Sequence, residues 1–124
     1  MSEFYGTRLT VICFWASRSP LAVWQLDDLS ADVVEVYKSN GVQVVAINVK
    51  ESASEVKSTL EKVEISYPVL LDEDGSGFSQ VATTHLPRTY VLDAEGKILW
   101  FDLGYARETR RHLDQAIRYG LHNP

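Results

Sequence analysis

Cysteine is almost missing from this 124-residue chain. Cys13 stands alone, so no internal disulfide can form, and with three scattered histidines it offers no metal-ligand spacing. Basic charge is also short: 12 Lys and Arg face 17 Asp and Glu, a formal net charge of −5. That balance argues against a nucleic-acid partner or an anionic membrane surface, both of which need a basic patch. Long apolar runs are missing too. The longest, Val11 to Ala16 with Leu9 just before it, is far too short to span a bilayer. The opening Met1-Ser2-Glu3-Phe4 lacks a basic region followed by an apolar segment, so no signal peptide is visible and localisation stays open. No repeat, linker, low-complexity tract or cofactor motif is found. What is present is ordinary globular usage, 45% hydrophobic and 23% charged. It predicts a single domain over residues 1–124 with a core from about Leu9 to Leu121.

Leu9 to Trp15 is nearly continuous in apolar residues and reads as a strand buried on both faces. Ser19-Pro20 offers a helix start, serine as N-cap and proline in the first turn. Leu26, Leu29, Val33 and Tyr37 keep helical spacing until Asn40-Gly41 stops the run. Val42 to Asn48 reads as a second buried strand, and Glu51 to Val63 as a helix with Val56, Leu60 and Val63 inward. Val69 to Leu71 is strand-like. Asp72 to Gly77 is a turn, lacking the spacing and terminal glutamate of a calcium loop. Arg88–Asp93 and Lys97–Leu103, joined by Ala94-Glu95-Gly96, should form a hairpin. A last helix, with Leu113, Ala116 and Ile117 on one face, closes the domain. Arg107, Arg110, Arg111 and Arg118 read as its wet face, with Arg110 and Asp114 spaced to pair. The order predicts an α/β fold: a mixed sheet, parallel in its first half and ending in an antiparallel hairpin, with helices on both faces.

Three motifs in this order carry a resemblance. They are Phe14-Trp15-Ala16-Ser17 at a strand end, Tyr67-Pro68-Val69-Leu70-Leu71-Asp72 followed by Gly75, and Leu86-Pro87-Arg88-Thr89-Tyr90-Val91-Leu92-Asp93 with Gly96-Lys97-Ile98 beyond. Together they resemble the thioredoxin-like fold, most closely its TlpA/ResA-like branch of thiol-disulfide oxidoreductases, with peroxiredoxins of the AhpC/TSA type as related alternatives. The resemblance runs from about Leu9 to the chain end. It implies a cis bond at Leu86–Pro87, a peptide- or partner-binding groove beside it, and a family often extracytoplasmic in bacteria.

The departures matter as much. Aligned on the first motif, Ser19 and Ala22 fall on the two cysteines of the family's Cys-x-x-Cys. Arg18 takes the usual tryptophan, Leu21 lies between the lost thiols, and Gln25 stands where the branch often has an acid-base glutamate. Disulfide exchange requires a thiolate, which neither a hydroxyl nor a methyl supplies. A peroxidatic cysteine would also fall near Ser19, so that reading fails in the same way.

The chain therefore reads as a redox-inactive thioredoxin-like protein with a groove for a protein or peptide partner formed by Trp15, Arg18, Ser19, His85, Leu86, Pro87 and Arg88. Arg18 and Arg88, flanking the old site, would favour an anionic ligand or acidic peptide. Cys13 reads as a small buried hydrophobe. One alternative is an active oxidoreductase or peroxiredoxin-like antioxidant protein in cell redox homeostasis. A remoter one is a serine hydrolase using Ser19 and His85, for which no group to orient the base is apparent.

Overall fold

The computed structural model describes residues 7–76 and 86–122. Its centre is β1 (Leu9–Trp15), whose apolar run pairs on both sides: parallel with β2 (Val42–Val49) and antiparallel with β4 (Arg88–Asp93). β3 (Val69–Asp72) adds in parallel to β2, and β5 (Ile98–Leu103) adds antiparallel to β4. The sheet order is β3-β2-β1-β4-β5, mixed as the element order predicts. The fold is thioredoxin-like.

Alternation along β1 sorts its side chains. Leu9, Val11, Cys13 and Trp15 enter the main core cluster, while Phe14 joins Val49 and Tyr90 in a smaller cluster. The main cluster takes Ala22, Leu26 and Leu29 from α1 (Pro20–Leu29), and Tyr37 from α2 (Glu35–Tyr37). It also takes Val56 from α3 (Ala53–Leu60), and Leu113 and Ile117 from α4 (Arg107–His122).

Three details differ from the sequence reading. The helix from Ser19 toward Asn40 is interrupted by a π-helical turn, Ser30–Val34, between α1 and α2. Inward residues spaced by four drift about 40° per step around a regular α-helix. The wider turn absorbs that drift and keeps both Val33 and Tyr37 in the core. The second helix begins later than Glu51. Ser52 is its N-cap, in a reciprocal capping box with Glu55, and Glu51 lies outside it and buried. Arg110 and Asp114 do not pair with each other. Arg110 holds the Asp32 carboxylate by two hydrogen bonds of 2.8 Å, while Asp114 takes Arg118 at 2.8 Å and the Tyr37 hydroxyl. Packing of α4 against the α1–α2 segment turns these side chains toward the neighbouring helix.

Candidate functional site

The chain leaves β1 at Trp15, turns through Ala16 to Arg18, and enters α1 at Ser19. Ser19 has extended backbone (φ −109°, ψ 106°), and its Oγ accepts the Ala22 backbone N–H at 3.4 Å. Pro20 in the first turn has no N–H to leave unsatisfied. Ala22 is fully buried and Ser19 half-buried. At the same end of the sheet Arg88 pairs in register with Phe14, which places the Leu86–Pro87 segment at the strand end from which α1 departs. The Leu86–Pro87 bond is cis, the geometry the motif implies. The Pro87 carbonyl is held by the Gly104 N–H at 2.7 Å.

Behind the Ser19 turn lies a closed polar relay. Cys13 Sγ donates to Gln25 Oε1 at 3.5 Å, and Gln25 Nε2 donates to Thr89 Oγ1 at 2.7 Å. All three residues are buried, and Thr89 is the cross-strand partner of Cys13. Burial pushes the Cys13 thiol up to about 12, against the opposite pull of its hydrogen bond with Thr89. Gln25, a neutral amide, has no carboxyl proton to exchange at the position where the resemblance implies a glutamate.

A second polar group, missed by the sequence reading, ties the β1–α1 turn to the end of β2. Glu51 accepts the Ser17 backbone N–H at 2.8 Å, the Ser17 hydroxyl at 2.5 Å and Asn48 Nδ2 at 2.8 Å. Burial raises its pKa, but the donors from Asn48 and Ser17 and the Arg18 charge outweigh that, leaving the carboxyl below its usual range. The sequence signal was a glutamate directly before an N-cap serine. Its partner Ser17 is 34 residues away and carries no local pattern.

The expected groove residues separate. Trp15 is fully buried and does not line an open surface. Strand alternation points it into the same core as Val11 and Cys13, where α1 covers it. The exposed apolar residues at this corner are instead Leu21 and Trp24, on the outer side of α1. Arg18 turns toward β2, where its guanidinium donates to the Val49 carbonyl at 3.4 Å and its charge acts on Glu51. Arg88 turns toward Tyr90, whose hydroxyl it meets at 3.3 Å. The two arginines thus lie on opposite sides of β1. His85 lies outside the described residues.

The fold and this corner, an N-capped helix start beside a cis-proline loop, place the molecule in the thioredoxin-like class. The Redoxin family model matches residues 1–117, and the chain belongs to that family. The Thiol-disulfide oxidoreductase ResA of Bacillus subtilis (strain 168) is 33% identical over 76 residues, 61% of this chain and 42% of that protein. The Thiol-disulfide oxidoreductase ResA of Geobacillus kaustophilus is 25% identical over 85 residues, 67% of this chain and 49% of that protein. The chain spans less than half the length of these curated relatives. Among solved structures, a Thiol:disulfide interchange protein DsbE from Chlorobium tepidum superposes with a TM-score of 0.87 at 24% identity, covering 97% of this chain and 84% of that one. StoA from Bacillus subtilis gives 0.74 at 20% identity, covering 90% and 83%. These likenesses establish the fold. The relatives are thiol-disulfide oxidoreductases by name, whereas this chain carries a single cysteine. Among the described residues no helix is long and apolar enough to cross a membrane.

Proposed function

We propose that this chain is a TlpA/ResA-like thioredoxin-fold protein that has lost disulfide chemistry and uses the surface at Ser19 and Leu86–Pro87 to bind a protein or peptide partner. The observation that carries this reading is the Ser19 turn. Its Oγ caps the helix through the Ala22 N–H, so serine and alanine at the two positions the resemblance assigns to thiols make a structural cap. The chain's one thiol is sealed in the core against Gln25, with its pKa raised to about 12, and is a poor nucleophile at neutral pH. Leu21 and Trp24, both exposed, add apolar area beside the cap, of the kind that marks interaction surfaces.

The test is reduction of insulin disulfides by the purified chain with dithiothreitol as electron donor. The expected rate equals that of dithiothreitol alone, and a rate clearly above it would overturn the reading. The oxidoreductase alternative has only Cys13 to work with, so rapid labelling of Cys13 in the native protein would revive it. The hydrolytic reading needs His85 as its base, and His85 lies outside the described residues.

A further inference from the structure

We propose that the open edge of β3 is a second docking site, which takes an extended segment of a partner protein with alternating apolar side chains and a basic residue at one end. The inference is independent of the surface at Ser19. Among the described residues β3 is a terminal strand, paired on one side only, with β2. The pairing register fixes which backbone groups are used. Ala46 donates its N–H to the Pro68 carbonyl at 3.1 Å and is the register partner of Val69. In a parallel ladder that arrangement turns the N–H and C=O of Leu70 toward β2, and those of Val69 and Leu71 outward. Two residues therefore present a donor and an acceptor each along one open edge, the unit that strand addition uses.

The faces beside this edge carry apolar residues on both sides, with Lys57 and Glu61 also lining the one beside α3. Leu71 is 42% exposed and forms, with Val69 and with Val56 and Leu60 of α3, the wall of an open groove. Leu70 is 53% exposed and borders a concave surface with Ile47 on the opposite face. Successive side chains of an added strand point to opposite faces. Residues opposite Val69 and Leu71 would enter the groove beside α3, and the residue between them would lie beside Leu70. Alternation of apolar residues in the partner is what this shape reads.

Charge sets the end of the segment. Pro68 precedes the strand and Asp72-Glu73-Asp74 follow it. The Asp74 carboxylate is engaged by the Ser76 N–H at 2.9 Å, and the Glu73 side chain is exposed. A lysine or arginine next to Glu73 is the complementary end, on a protein whose net charge of −5 favours basic partners generally.

The experiment titrates a short acetylated and amidated peptide, one lysine followed by alternating valine and threonine, into the full-length ¹⁵N-labelled chain. The expected result is saturable shifts and slowed amide exchange at Val69 and Leu71, with Ser19 and Ala22 unmoved. Leu71→Pro removes an outward N–H while leaving the β2 ladder intact, so the variant should stay folded by circular dichroism. It should bind about five-fold more weakly, the worth of one hydrogen bond. Glu73→Gln should also weaken binding and reduce its salt sensitivity. Absence of saturable binding, shifts confined to Ser19 and Leu86, or undiminished binding by a folded Leu71→Pro variant would overturn the proposal. So would concentration-dependent broadening at Val69 and Leu71 without peptide, which would identify a second copy of the chain as the occupant.

Discussion

Cys13 and Glu51 are both buried and ionisable, yet their titrations are displaced in opposite senses relative to the charge each would carry. Around Cys13 desolvation dominates. Around Glu51 four favourable interactions, three hydrogen bonds and a neighbouring guanidinium, prevail over it. The stability consequences follow. Unfolded Cys13 ionises near pH 9.0, whereas the folded thiol keeps its proton to about 12, so its contribution is lost as pH rises through that window. Glu51, with its pKa depressed, contributes stability that is present above the ordinary carboxylate range and lost as pH falls through the folded value. Native-state labelling of Cys13 at pH 8 should accordingly be slow, becoming fast in urea. Glu51→Ala should destabilise the fold by about 2–3 kcal/mol at pH 7, because it strands the Asn48 amide and the Ser17 N–H. Urea unfolding measures this, and a loss below about 0.5 kcal/mol would show that Glu51 does not hold the turn. Neither network was legible in sequence as a network. Cys13 could be read as buried because it sits in an apolar run, but its partners Gln25 and Thr89 come from other elements.

At the scale of elements, what local chemistry dictates was legible: the β1 run, the Ser19–Pro20 helix start, the Asp93–Lys97 hairpin turn and the apolar face of α4. What depends on neighbours was not. The π-helical turn answers a spacing mismatch visible only once the core is assembled, and Arg110 finds its carboxylate 78 residues away. The same packing makes a prediction at Gly120, where α4 crosses β1. An added Cβ there would lie 2.8 Å from Leu9 Cδ2. Gly120→Val should therefore cost about 1–3 kcal/mol by overpacking, despite replacing a helix-weakening glycine. A urea midpoint equal to that of the parent would contradict this packing. Arg110→Ala, in contrast, should cost about 1 kcal/mol or less, since its guanidinium is half exposed and its pairs are screened.

For the molecule as a whole, the architecture is thioredoxin-like, with a single cysteine that lies buried in the core. The motifs gave the Ser19 N-cap and the cis Leu86–Pro87 bond that the structure shows. They misjudged which aromatic ring faces solvent, because the motif containing Trp15 does not reveal that its indole points into the core. The central claim is that Ser19 and Ala22 stand where a redox pair would stand on a scaffold still shaped for one. Its most direct test is the Ser19→Cys, Ala22→Cys variant, read as a thiol count after mild oxidation. The first cysteine would sit at a helix N-cap, where backbone amides favour its thiolate, and the second on the same turn, within the roughly 4.4–6.8 Å Cα separation that a disulfide needs. The expected count in the denatured protein is the single buried thiol of Cys13, the two new cysteines having paired. Three free thiols in a folded variant would show that these are not the positions of the lost pair.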